Sequence, residues 1–137
     1  MKNTRSITAS QKISDFEDKS LLIVDDDDPF RNRLSRAMET KGFEVKGAKS
    51  VSDGLKIAQN TPTSFAVVDL RLEDGNGLDV VKALHKTRKD SKIVMLTGFG
   101  NLPTAVAAVK AGAIDYLAKP VDADDIESAL LAFPESK

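Results

Sequence analysis

The sequence predicts one small doubly wound α/β domain, a parallel sheet with helices on both faces. Three observations predict it. Leu21–Val24, Phe65–Val68 and Ile93–Leu96 are short aliphatic runs without polar alternation, which suits strands buried on both faces. Amphipathic segments with helical spacing lie between them. The strand–helix pattern recurs five times between residues 20 and 133, and parallel strands joined this way need right-handed crossovers.

The elements follow in order. Residues 1–19 are polar, near-neutral and without sustained periodicity, so a flexible arm is expected, with Ile13 and Phe16 as local packing candidates. After the first apolar run, Phe30, Leu34, Ala37 and Met38 form one helical stripe, which Gly42 stops. Asp27 or Asp28 caps that helix ahead of Pro29. Phe43–Gly47 is a weaker strand. Ser50 or Ser52 caps a helix whose apolar face is Leu55, Ile57 and Ala58. Leu78, Val81 and Leu84 mark a third helix, and Gly75-Asn76-Gly77 a turn entering it. Ala105–Ala111 is a fourth, ended by Gly112. Ile114–Ala118 is a second weak strand, and Ile126, Ala129, Leu130 and Phe133 give the last helix.

Composition excludes several functions. The chain has 137 residues, 41% hydrophobic and 30% charged, as in ordinary globular domains. Twenty Lys and Arg against 21 Asp and Glu leave a formal charge of −1, without the basic excess of a nucleic-acid binder. No Cys means no disulfide scaffold, thiolate metal site or thiol nucleophile. His85 is the only histidine, so no multi-His site exists, and a solvated position on the third helix is expected for it. No apolar run approaches the ~20 residues that span a bilayer, and the N-terminus has no signal-peptide core, so a cytoplasmic location is expected.

Ligands of such sheets bind beyond the carboxyl ends of the strands. There the runs are followed by Asp25-Asp26-Asp27-Asp28, by Asp69, by Thr97-Gly98 and by Lys119-Pro120. Each alone has an ordinary reading as cap, turn or loop, but four successive strand ends converge on one edge. Asp69 is the hardest to dismiss, because an acid ending a buried strand costs free energy unless it is paired or bound. Asp25, Asp26 and Asp69 would repel one another, and a hard divalent cation removes that repulsion. Mg²⁺ fits, since it takes few carboxylates and pairs with phosphate oxygens. Asp69 can then attack a phosphoryl group, with Lys119 as a second positive charge and the Thr97 hydroxyl as a donor.

The motifs LLIVDD, FAVVDL, IVMLTG and DYLAKP, at residues 20–133, resemble the receiver domain of two-component response regulators. The resemblance implies a flavodoxin-like five-stranded sheet of order 2-1-3-4-5 with five helices, and residues 134–137 as a tail or linker start. It implies Asp69 as phosphoacceptor, an acidic Mg²⁺ pocket of Asp25 and Asp26, and a metal bond from the Arg71 backbone carbonyl. Thr97 matches the switch hydroxyl, Tyr116 the switch aromatic and Lys119 the family's lysine, with a cis bond to Pro120. Without the family, Tyr116 is equally a satisfied half-buried aromatic. Many receivers have Pro four residues after the phosphoacceptor, where this chain has Glu73. The stretches DLRLEDGNGLDVV, LTGFG and TAVAAVKAGAIDYLAKP are similar to the RegA/PrrA/ActR subgroup, whose members add a C-terminal helix-turn-helix. The sequence stops at Lys137, so an excised receiver or a single-domain regulator is expected, with DNA reached only through a helix-turn-helix outside the chain.

The expected function is a phosphorylation switch that catalyses its own modification and dephosphorylation. A sensor histidine kinase is the expected partner, with homodimerisation on phosphorylation and no membrane contact. Two other functions share parts of this pattern. A haloacid-dehalogenase-type phosphatase also uses a strand-end Asp, a Thr and a Lys with Mg²⁺, but needs a D-x-D-x-[TV] motif after the first strand, which DDDDP lacks. A degenerate receiver used only for protein contacts is opposed by the complete acid, Thr and Lys set.

Overall fold

The computed structural model describes residues 12–98 and 100–132. Its elements are β1 (Ser20–Val24), α1 (Asp28–Thr40), β2 (Glu44–Ala48), α2 (Val51–Asn60), β3 (Phe65–Asp69), β4 (Arg71–Leu72), β5 (Gly75–Asn76), α3 (Leu78–Thr87), β6 (Lys92–Thr97), α4 (Leu102–Ala111), β7 (Asp115–Ala118) and α5 (Ala123–Leu131). β1, β2, β3, β6 and β7 form one parallel sheet of order β2-β1-β3-β6-β7. Counting these five alone, the order is 2-1-3-4-5. β4 and β5 form a two-residue antiparallel hairpin just after β3. β3 and β6 run one residue further than their aliphatic runs at their functional ends, so Asp69 and Thr97 belong to them.

The unbroken apolar runs divide by strand alternation. Leu22, Val24, Ala66, Val68, Ile93 and Met95 pack with Val51 and Ala58 of α2, Val80, Val81 and Leu84 of α3, and Ala108 and Ala111 of α4. Leu21, Ile23, Phe65, Val67, Val94 and Leu96 pack with Leu34 and Met38 of α1 and Ile126, Ala129 and Leu130 of α5. Phe65 is fully buried, with Phe16 and Phe43 edge-on to its ring at 5.1 and 5.3 Å.

The caps set the helix boundaries. Asp27 accepts from Phe30 N, and Ser50, not Ser52, accepts from Asp53 N. α4 starts at Leu102, three residues before the apolar pattern. Asn101 and Thr104 form a reciprocal capping box there, and Leu102 is 75% exposed, so no stripe betrays the first turn.

Residues 12–19 are not a free arm. A 3₁₀ turn at Ile13–Asp15 buries Ile13 in the core and lays Phe16 on Phe65, because a three-residue spacing eclipses both side chains on one side. Asp18 then pairs with Arg88 at 2.7 Å. Residues 1–11 of the expected arm, Phe133 of the expected last helix and the tail 134–137 lie outside the described residues. His85 is half-buried rather than solvated, and its Nδ1 is buried without a partner. The Lys119–Pro120 bond is cis. Among the described residues, no helix is long and apolar enough to cross a membrane.

Candidate functional site

Adjacent parallel strands bring their carboxyl ends to one edge. β1 pairs with β3, so Asp25 and Asp26 emerge beside Asp69. β6 pairs with β7, and Lys119 N donates to the Thr97 carbonyl at 2.8 Å, which carries the lysine to the same edge. Oxygens of Asp25, Asp26 and Asp69 all lie within 4.8 Å of one another. Asp25, Asp69 and Thr97 are buried, at 1%, 7% and 1% exposure.

Each carboxylate is held differently. Asp25 has both oxygens engaged: Oδ1 accepts from Asp27 N at 2.9 Å and Oδ2 from Lys119 Nζ at 2.9 Å. Its carbonyl accepts from Arg31 Nη1 at 2.7 Å. Asp26 Oδ2 accepts from the Glu73 N–H at 2.9 Å. Asp69 faces Lys119 Nζ at 3.6 Å. The Lys119 ammonium also lies 4.6 Å from the centre of the Phe30 ring, which fixes it from below.

The backbone around Asp69 is tightly enclosed. Gly77, at the start of α3, leaves no room for a side chain: a Cβ there would sit 2.0 Å from the Asp69 carbonyl oxygen. The β4–β5 hairpin carries Glu73 to Asp26 and Asp74 to α2, where the Asp74 carboxylate accepts from Val51 N and Ser52 N. Those two bonds hold the Asp74 carboxyl below its ordinary range.

Electrostatics follow the geometry. Asp69 ionises at about 6 instead of 3.8. Burial is the largest cause, Asp25 and Asp26 add to it, and Lys119 opposes it. Burial acts to lower the Lys119 pKa, but its hydrogen bond to Asp25 and the charges of Asp69 and Asp25 prevail, so the net shift is upward. Asp69 is thus an ionised carboxylate at neutral pH, kept basic by its surroundings. The donor set is entirely oxygen, as a hard divalent cation requires.

Tyr116 on β7 is half-buried, and its hydroxyl shares a hydrogen bond with the Thr104 hydroxyl of α4. A Cβ on Gly100 would lie 3.4 Å from Thr97 Cγ2 and 3.5 Å from Tyr116 Cε2, so Thr97 and Tyr116 border the same loop. Arg71, the expected carbonyl donor, opens the hairpin two residues after Asp69. Sequence reasoning missed Phe30 as the support of Lys119, Thr104 as the Tyr116 partner and the Glu73 amide. Phe30 was visible only as a helix-stripe residue. Glu73 carried a signal, since a proline there has no N–H to offer Asp26.

The fold and this edge define a class, and comparison with known proteins settles it: residues 21–131 match the response regulator receiver domain, and the chain belongs to that family. The phosphatase alternative falls with that assignment. The chain is 60% identical over 119 residues to the photosynthetic apparatus regulatory protein RegA of Cereibacter sphaeroides, covering 87% of this chain and 65% of that protein. It is 58% identical over 117 residues to the acid tolerance regulatory protein ActR of Rhizobium meliloti, covering 85% of this chain and 60% of that protein. The likeness to the RegA/PrrA/ActR subgroup holds, and the chain spans less than two thirds of the length of these two curated relatives. Among solved structures, a response regulator from Burkholderia pseudomallei superposes with a TM-score of 0.78 at 39% identity, over 82% of this chain and 66% of that one. That crystal structure is described as holding a phosphorylated aspartic acid, a calcium ion and citrate.

Proposed function

We propose that the chain is the phosphoacceptor switch of a two-component system, taking a phosphoryl group from a sensor histidine kinase onto Asp69 with Mg²⁺. The observation that carries this reading is the meeting of Asp25, Asp26 and Asp69 within 4.8 Å, with Lys119 spanning Asp25 and Asp69. An Asp69 oxygen forms the new O–P bond as the donor's P–N bond breaks, and the freed imidazole nitrogen keeps the electron pair. When bound, Mg²⁺ neutralises charge on the transferring phosphoryl oxygens. Asp26, Asp69 and the Arg71 carbonyl would hold it. Asp25, with both oxygens already engaged, would act on it through water. Lys119 supplies positive charge from the other side, and the Thr97 hydroxyl donates to a phosphoryl oxygen. Water then attacks the phosphorus at the same site, the Asp69 O–P bond breaks, and inorganic phosphate leaves with Asp69 restored, so the protein is a switch and not a turnover enzyme. The phosphorylated aspartate and calcium of the Burkholderia relative support the reading.

The phosphorylated form draws the Thr97 hydroxyl inward and lets Tyr116 leave Thr104 for the space behind the loop. A charge-assisted hydrogen bond contributes about 1.5–3 kcal/mol, or about ten- to a hundredfold in a two-state equilibrium. The face of α4, β7 and α5 then carries the signal, by homodimerisation and through a transcriptional output domain in the cytoplasm. DNA is contacted by that output domain and not by the receiver.

Intact-protein mass after incubation with acetyl phosphate and Mg²⁺ tests the acceptor. One phosphoryl group is expected on the wild type, none on Asp69→Asn and none in EDTA. Full labelling of Asp69→Asn refutes the assignment. Thr97→Ala is expected to accept phosphate, while beryllofluoride-induced NMR shifts no longer reach Tyr116 and α4.

A further inference from the structure

A groove of about 580 Å³ runs between α3 and α4, and it shares no residue with the acidic cluster. Four lysines line it: Lys82 and Lys86 on α3, Lys89 just beyond that helix, and Lys110 on α4. No acid is among the lining residues, and all four lysines are exposed. Among the described residues, none of the four is in an ion pair, whereas Arg31, Lys41, Arg88 and Lys119 are. In a protein of net charge −1, four lysines and no acid surround this one groove.

Helix electrostatics account for only part of this. Lys86 and Lys110 sit in last turns, where cations complement the macrodipole. Lys82 lies in the middle of α3, and its i,i+4 spacing from Lys86 places two like charges side by side, which is unfavourable on an isolated helix. An anionic partner lying along the helix relieves that repulsion.

The floor is apolar. Leu78, Ala107 and Ala111 line it, and His85 forms a wall. The His85 ring packs against Gly112, where a Cβ would sit 2.6 Å from the ring and where φ is +123°. Leu78, Lys82, His85 and Lys86 follow i, i+4, i+7, i+8, so one stripe of α3 presents an apolar anchor point and then two charges.

We infer that this groove docks an acidic amphipathic segment of a protein partner, carboxylates against the four lysines and one aliphatic side chain on the Leu78–Ala107–Ala111 floor. Lysine ammoniums pair with carboxylates as point charges, without imposing a fixed orientation. The groove has no Arg fork for base edges and no Phe, Tyr or Trp on which a nucleobase stacks. An apolar floor between cationic rims matches a helix with one apolar and one acidic stripe.

The test uses the whole chain, ¹⁵N-labelled, and a synthetic helical 16-residue peptide with Glu at i, i+4 and i+7 around one Leu. Expected are saturable shifts confined to α3, Lys89 and α4, and at least tenfold weaker binding by Lys82→Glu/Lys86→Glu. Acetyl phosphate labelling of that variant should match the wild type, which shows that it is folded. The peptide with Gln in place of Glu should bind at least tenfold more weakly. The inference is overturned by no shifts at millimolar peptide, by shifts outside the groove, or by equal affinity of the charge-reversed variant. It is also overturned if a 20-base-pair DNA duplex binds these lysines more tightly than the peptide.

Discussion

Asp69 should make the metal-free protein less stable, and the size of that effect can be worked out. Its carboxyl ionises at about 6 in the fold against 3.8 ordinarily, chiefly through burial and then through Asp25. The folded state therefore holds the proton more tightly than the unfolded chain. Between pH 3.8 and about 6 the folded state binds more protons, so stability falls as pH rises through that window. Above it the whole penalty is present. At about 1.36 kcal/mol per tenfold change in acidity, it reaches about 3 kcal/mol at pH 7.5. Asp69→Asn keeps the shape and removes the charge. It loses the 3.6 Å contact with Lys119, but the ammonium keeps its 2.9 Å bond to Asp25. The variant should be more stable than the wild type in EDTA at pH 7.5, by up to about 3 kcal/mol, and by less than about 0.6 kcal/mol at pH 4. Urea unfolding followed by circular dichroism at the two pH values measures both. Saturating Mg²⁺ should narrow the difference at pH 7.5, because it stabilises the ionised site. A variant no more stable than the wild type at pH 7.5, or equally stabilised at both pH values, would falsify the electrostatic account.

Three further outcomes follow from single contacts. Glu73→Pro removes the amide that holds Asp26, and should weaken Mg²⁺ binding by about fivefold in a fluorescence or calorimetric titration, at ~1 kcal/mol for one solvent-exposed bond; Glu73→Ala keeps the amide and should leave binding unchanged. Gly77→Ala places a Cβ 2.0 Å from the Asp69 carbonyl and 2.9 Å from Val68 Cγ1, so it should cost more than about 2 kcal/mol and slow acetyl phosphate labelling. Phe65→Ala empties the fully buried centre of the Phe16–Phe43 pair and should lose about 3–5 kcal/mol in urea unfolding, with no change in the pH dependence of labelling.

Much of this protein is written in local pattern. Leu21–Val24, Phe65–Val68 and Ile93–Leu96 have no polar alternation because each strand is covered on both faces. The acids, Thr97 and Lys119 stand at strand ends, and a parallel sheet carries all its carboxyl ends to one edge, so the composition of the site followed from topology. Capping at these two helix starts was legible, but the choice of Asp27 over Asp28 and of Ser50 over Ser52 came from the structure. What stayed hidden has long sequence separation or no periodicity. The Ile13–Asp15 turn is too short to show a period, yet Phe16 reaches Phe65. The β4–β5 hairpin is two residues per strand, and its worth lies in delivering Glu73 to Asp26 and Asp74 to the start of α2. Only the packed fold decides that Lys119 rests on Phe30 and bonds Asp25 before Asp69, that His85 is wedged against Gly112, and that the lysines of α3 share a groove with Lys110 of α4. Sequence patterns report which face of an element is apolar, because that depends on neighbours three or four residues away. Which side chain meets which across two elements depends on how the elements are packed, and only the tertiary structure decides that.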